Sequence, residues 1–454
     1  PPSGYENAKP GDILRFRPSP HKLRTIYAPF NIKSAYQYMY RTENASGNPS
    51  YAVSLLIEPY NANNSRLVQY SIAEDSASFD CGASYTFQYG ASMSTLAGQA
   101  EGLLIQAPLN EGYWVNTADY EGPNASFTAG RMAGHAVLDA VRSALKSTST
   151  TGLDPNADVV LWGYSGGALA SGWAASLQPN YAPDLSKNLI GCALGGFPAN
   201  ITYTILAVDG TVYAGFLPDG IFGLSREYPG LLPVVKKFFP KSFEYLATKV
   251  QASCLVPTIA YMAYSQVFQG AHRIVSAGLL VIETPAVREI LRNTTVGVDP
   301  TEVPKCPVFI YHGIKDGIVP VNSTMEVYEA WCPNKLIDSL EVTLSKTTKH
   351  ISEALLGAPA GFTWIKDRFE HKDNLVKGCS MTTRENNLLY PGITRTTLNM
   401  FEGIAKTLLG FKVGGPSTKT KRNLGIDFDL DELVENKIRE ENENKYGGGF
   451  WRKK

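Results

Sequence analysis

From about residue 30 to residue 197 the chain alternates short apolar runs with longer amphipathic stretches. Residues 35–41, 52–58 and 66–73 are apolar or alternating, with Pro59 and an Asn-rich break at 61–64 between them, and they predict strands. A helix-like stretch covers 94–110 and a strand 113–118. Over 131–147, Met132, Ala136, Val137, Val141 and Leu145 fall near helical spacing. Residues 159–164 form a continuous apolar strand, 166–177 a helix of small residues, and 189–194 another apolar strand. Strands without a polar face are buried on both sides. Alternated with helices, they predict an α/β fold: a mostly parallel sheet with helices on both faces.

That rhythm stops at about residue 198. Up to 302 the pattern is helical, apolar and aromatic, as in 231–239, 243–250 and 258–269, with no clear strand. A hundred residues is too long for a connecting loop. The expectation is a helical cap at 198–302 inserted into a core made of 1–197 and 303–415. The α/β rhythm resumes with a strand at 308–312, a helix at 324–332, a strand near 339–344 and a helix near 351–369. Residues 416–454 are a charged tail, in which Leu430, Leu433, Val434 and Ile438 suffice for one short amphipathic helix and for no core.

Composition narrows the function. Lys plus Arg and Asp plus Glu both number 42, so the chain offers no global field to nucleic acid, and nucleic-acid function is set aside. No apolar run is long enough to span a membrane. The chain opens Pro1-Pro2-Ser3-Gly4 without Met, which reads as a processed start. Asn-x-Ser/Thr acceptors at Asn44, Asn63, Asn124, Asn200, Asn293 and Asn322 favour a secreted glycoprotein. The six cysteines form no Cys-x-x-Cys pair, which argues against a zinc ribbon or a redox motif. Disulfides suit a secreted chain, but the residues alone leave their pairing open. Cys192, inside an apolar run, also reads as a buried free thiol.

The chemistry centres on Gly163-Tyr164-Ser165-Gly166-Gly167, directly after the apolar strand and directly before the small-residue helix. This is the context of a nucleophile elbow. The turn is tight enough that side chains at Gly163 and Gly167 would collide, and the helix directs its positive end at charge developing beside Ser165. A serine needs a base. In an α/β-hydrolase the order is Ser, acid, His, which removes His21 and His135. His272 lies in the insertion, His312 ends a strand, and His371 follows a charged helix end. His350 follows a late strand through a polar loop and is the candidate base. Asp316, in the turn after strand 308–312, is the candidate acid. Asp338 is the runner-up, although it precedes the strand that leads to His350. One oxyanion amide is expected at Gly166 and the second in the loop Ala73-Glu74-Asp75-Ser76.

The stretches Ala73-Glu74-Asp75-Ser76-Ala77-Ser78-Phe79-Asp80-Cys81, Gly163-Tyr164-Ser165-Gly166-Gly167-Ala168 and Lys349-His350 resemble the fungal secretory lipases, as do Asp119-Tyr120-Glu121-Gly122 and Trp364-Ile365-Lys366. The resemblance runs from about Asn31 to about Gly410 and leaves out the charged tail. It implies a triad of Ser165, Asp316 and His350, oxyanion amides at Asp75 and Gly166, and an α/β-hydrolase fold whose cap forms much of the acyl pocket. It also implies disulfides Cys81–Cys254 and Cys332–Cys379, free Cys192 and Cys306, and no metal or cofactor. The family also contains esterases that deacetylate sesquiterpenoid toxins. In the cap, Tyr203, Tyr213, Phe216 and Phe222 are candidates to line either kind of pocket or simply to pack. The expectation is a secreted, monomeric serine hydrolase cleaving lipid or other small acyl esters, in transient contact with a lipid interface. A non-catalytic binding protein on the same fold, or a peptidase, is the competing reading.

Overall fold

The computed structural model describes residues 1–26, 28–333 and 336–408; the expected tail at 416–454 lies outside them. Ten strands among the described residues form one sheet in the order β1-β2-β3-β5-β4-β6-β7-β8-β9-β10. They are β1 (Ile13–Pro18), β2 (Ser34–Glu43), β3 (Pro49–Glu58), β4 (Asn63–Ser71), β5 (Tyr113–Ala118), β6 (Asp158–Tyr164), β7 (Leu189–Gly195), β8 (Val308–Gly313), β9 (Ser339–Ser345) and β10 (Gly378–Arg384). From β5 through β4 to β10 every pairing is parallel, whereas β1, β2 and β3 add an antiparallel edge. The central strands carry the all-apolar signature because helices cover both faces. Helices Gly130–Lys146 and Gly166–Tyr181 pack on one side, and Leu96–Asn110, Ala358–Phe369 and Arg395–Leu408 on the other.

Between β7 and β8 the chain is helical, with Ile201–Val208, Phe216–Glu227, Leu232–Phe238, Ser242–Val250, Leu255–Met262 and Pro285–Asn293. The stretch read as one helix over 258–269 ends at Met262, and Tyr264 adopts a positive φ of 62°. The Asp209 carboxylate then accepts the N–H groups of Val267, Phe268 and Gln269, giving that loop a fixed alternative to helical bonding. The stretch read as one helix over 351–369 is two helices, His350–Leu356 and Ala358–Phe369. They part at Gly357, where a Cβ would lie 2.3 Å from Glu353 Oε1 and 2.5 Å from the Tyr311 ring. Pro359 follows, and it has no N–H to continue the ladder.

Cys81–Cys254 and Cys332–Cys379 are disulfides, and Cys192 and Cys306 are buried thiols. The first bridge ties the loop after β4 to the helical insertion. Among the glycan acceptors Asn63, Asn124, Asn293 and Asn322 are exposed, whereas Asn44 and Asn200 are half-buried. Asn200 caps its helix by accepting the Thr202 N–H and donates its amide to Glu326 at 2.9 Å, so a glycan there would break a formed contact. No helix among the described residues is long and apolar enough to cross a membrane.

Candidate active site

Each candidate site residue follows the C-terminal end of a parallel strand, the edge of an open α/β sheet where ligands bind. Asp75 follows β4, Ser165 β6, Asp316 β8 and His350 β9. Ser165 turns the chain from β6 into helix Gly166–Tyr181 with φ 52° and ψ −122°, a conformation an L-residue holds only under constraint. Its N–H is accepted by Gly195 O at 2.9 Å. The two elbow glycines serve different contacts. A Cβ on Gly163 would lie 2.3 Å from the Gly167 backbone, whereas one on Gly167 would lie 1.9 Å from Ser71 O on the neighbouring strand. The collision expected between positions 163 and 167 is therefore only half of the constraint; the other half is the close approach of β4.

His350 Nε2 lies 2.9 Å from Ser165 Oγ, and its Nδ1 lies 2.6 Å from Asp316 Oδ2. The other carboxylate oxygen of Asp316 accepts the N–H groups of Ile318 and Val319 at 2.9 and 2.8 Å. Burial opposes ionisation of Asp316, but the imidazoles of His350 and His312 outweigh it and hold the carboxyl well below the usual range. Tyr164 supports the base from below: its hydroxyl donates to His350 O at 2.6 Å, and the two rings lie 5.1 Å apart.

His312, read above only as a strand end, belongs to this network. It is fully buried, with Nε2 2.9 Å from Val319 O and 3.5 Å from Asp316 Oδ2, and Nδ1 2.9 Å from Thr324 Oγ1. Its place four residues before the acid was the signal available for finding it. The remaining candidates lie apart. Asp338 is exposed, His21 and His272 are exposed, and His371 pairs with Asp158 at 3.2 Å. His135 is buried against Tyr181, and burial holds it down at about 4.

Asp75 also has a positive φ, 44°, and its side chain lies against Gly166, where a Cβ would come within 1.8 Å of Oδ1. Burial pushes its carboxyl up to about 7, partly offset by His350. The Gly166 N–H opens its helix, where an amide has no intrahelical acceptor. Next to Ser165 a cavity runs into the helical insertion, lined by Phe127, Leu169, Ile205, Phe216, Ile221 and Leu224 among others; Asp75, Thr128, Ser165 and Thr204 are its polar side chains. Of the four aromatic candidates in the insertion, only Phe216 lines this cavity. Tyr203 instead donates to Glu326, Tyr213 is buried in the core, and Phe222 packs with Ala77 and Val250. Among the described residues no group of three or more His, Cys, Asp or Glu is arranged to hold a metal ion.

A mostly parallel sheet with a serine on a strained strand-to-helix turn, an imidazole against its hydroxyl and a carboxylate behind the imidazole defines an α/β-hydrolase. The family model described as "Secretory lipase" matches residues 87–377. Lipase 1 and Lipase 2 of Candida albicans are 42% and 43% identical over 427 and 418 residues, 94% and 91% of this chain and 90% and 89% of theirs. Lipase A of Arthroderma benhamiae is 34% identical over 93% of this chain and 88% of its own. The crystal structure of Candida antarctica lipase A shares the fold at a TM-score of 0.77 and 24% identity, over 88% of this chain and 93% of that one. The chain belongs to the secretory lipase family and is a carboxylic-ester hydrolase.

Proposed function

We propose that Ser165, His350 and Asp316 form a catalytic triad that hydrolyses esters of apolar carboxylic acids through an acyl-enzyme, in a secreted protein whose residues 198–302 cap the site. The observation that carries this reading is the unbroken line of contacts from Ser165 Oγ through His350 to Asp316, 2.9 and 2.6 Å long, beside an apolar cavity. His350 Nε2 takes the proton as Ser165 Oγ bonds to the ester carbonyl carbon. The carbonyl oxygen becomes an oxyanion held by the amides of Gly166 and Asp75. His350 then gives the proton to the leaving alcohol. Water, deprotonated by the same nitrogen, attacks the acyl-serine, and Ser165 leaves with that proton. Asp316 remains ionised and fixes the imidazole tautomer, with Nδ1 as donor.

The acyl chain runs into the cavity under the cap, where Phe216, Ile221 and Leu224 offer apolar contact and few polar groups compete. Such a lining suits a chain of several carbons better than an acetyl group, which would leave most of it unfilled. The family's description and the two disulfides support secretion. The exposed acceptors Asn63, Asn124, Asn293 and Asn322 are the positions suited to glycans.

The test is a series of p-nitrophenyl esters from acetate to palmitate, assayed on the protein and on Ser165→Ala. The variant is expected to fold normally and to lose hydrolysis of every ester. The protein itself is expected to prefer medium or long chains over acetate. Substantial turnover by Ser165→Ala would remove the nucleophile assignment, and a strong preference for acetate would replace the lipase reading with that of a specialised deacetylase.

A further inference from the structure

Consecutive backbone N–H groups at 73–77 run along the loop after β4, and side chains accept hydrogen bonds from those of Ala73, Glu74 and Ala77. Ala73 N donates to Glu101 Oε1 at 2.8 Å and Glu74 N to the Tyr120 hydroxyl at 3.3 Å. Ser76 N faces the Glu121 carboxylate, and Ala77 N donates to Asp219 Oδ1 at 3.2 Å. The N–H of Asp75 has no partner among the described residues. A loop bonded at Glu74 before this amide and at Ala77 beyond it, with the amide itself free, is built to present that amide to a ligand. It also supplies the constraint that keeps Asp75 at its positive φ.

The acceptors Glu101 and Tyr120 belong to the body of the enzyme; Asp219 belongs to the cap. It sits fully buried on helix Phe216–Glu227, and two turns further along the same helix Arg226 donates Nη1 to Ala77 O at 2.7 Å. One cap helix therefore holds both backbone polar groups of Ala77, two residues from the free amide. The neighbouring hydroxyl of Ser76 donates to Ser253 O, also in the cap, at 2.8 Å. The same helix lines the cavity with Phe216, Leu217, Gly220, Ile221 and Leu224.

We propose that Asp219 and Arg226 are positioning residues: by gripping Ala77 they set the Asp75 amide at the distance the oxyanion needs, and so tie the oxyanion hole to the cap helix that contacts the acyl chain. This rests on the reading of the Asp75 amide as an oxyanion donor.

The experiment compares Asp219→Ala, Asp219→Asn and Arg226→Met in the full chain. It measures kcat and KM on p-nitrophenyl octanoate, inhibition by an alkyl boronic acid as a tetrahedral mimic, and backbone amide exchange of the 73–78 segment. In Asp219→Ala and Arg226→Met, kcat is expected to fall about 10- to 100-fold, somewhat less than the loss of an oxyanion donor itself, with KM within about twofold. Boronate affinity should fall in step and exchange should rise. Asp219→Asn, whose amide oxygen still accepts the Ala77 N–H, should restore kcat to within about threefold. Unchanged exchange would overturn the grip itself. Raised exchange with unchanged kcat and boronate affinity would overturn the inference by removing the Asp75 assignment beneath it, and a change confined to KM would assign both residues to the acyl pocket instead. Should Asp219→Ala fail to fold, half-exposed Arg226 decides through Arg226→Met.

Discussion

Asp316 keeps a charge that its surroundings would otherwise suppress. Two backbone amides and two imidazoles converge on a carboxylate without solvent contact, and together they outweigh the desolvation that would protonate it. Asp316→Asn removes that charge and, with one of its two orientations, sets an amide N–H against His350 Nδ1 in place of an acceptor. The expected outcome is a fall in kcat of about 10²- to 10⁴-fold with little change in KM, because the wrong imidazole tautomer then faces Ser165. Steady-state kinetics with a melting curve for each protein check it; near-normal kcat in the folded variant would remove Asp316 as the acid. Order along the chain was enough to single out the three side chains that the structure brings into contact, Ser165, Asp316 and His350, since the elbow has a local signature and the fold imposes Ser, acid, His. The contacts of Asp219 and Arg226 with Ala77 were not legible, because they join residues 142 and 149 positions apart that share no local pattern.

At the scale of elements, the sequence was most readable where burial was most complete. Strands β5 to β9 are almost wholly buried, and their apolar runs appear at nearly the observed limits. The edge strands β1 and β10 went unseen because each is half-exposed and carries the polar residues that such an edge tolerates. Gly167 is hidden in the same way: its requirement lies in a partner strand that the pentapeptide does not name. Gly167→Ala would place a methyl 1.9 Å from Ser71 O, a backbone atom inside the sheet that cannot yield without moving β4. The expected cost is about 3 kcal/mol or more, read as a lowered Tm together with lost activity. Gly220→Ala is the matched control. Its Cβ would meet Thr128 only at 3.8 Å, so its Tm should hold or rise slightly. Equal Tm values for Gly167→Ala and the parent protein would show that the elbow relaxes and is not held by β4.

Several carboxyls are enclosed among the described residues, and their protons link the stability of the whole molecule to pH. Burial pushes Asp119 up to about 6, Asp75 and Glu353 to about 7, and Glu101 to about 8; Glu74, Glu121 and Asp219 are displaced the same way. In the unfolded chain such groups lose their protons near pH 4. Between about pH 4 and pH 8 the folded state therefore holds more protons than the unfolded one, and stability must fall as pH rises. The stabilisation is complete below the unfolded values and is lost as pH passes through the folded ones. Asp316 works in the opposite sense, but its effect is confined to strongly acid pH, where it would itself be protonated. His135, held down at about 4, favours the fold as pH rises, but only up to the unfolded histidine value near 6.5. Above that the carboxyls act unopposed by it. The expected result is a Tm that declines by about 5 °C or more from pH 6 to pH 8.5, each pKa unit of displacement being worth about 1.4 kcal/mol before partial cancellation. Glu353→Gln tests the cause. Its amide can still accept from Asn387 and donate to Thr348, and without a titrating group the decline should be shallower. A Tm that is flat or rising over that range would mean that the enclosed carboxyls ionise without cost to the fold.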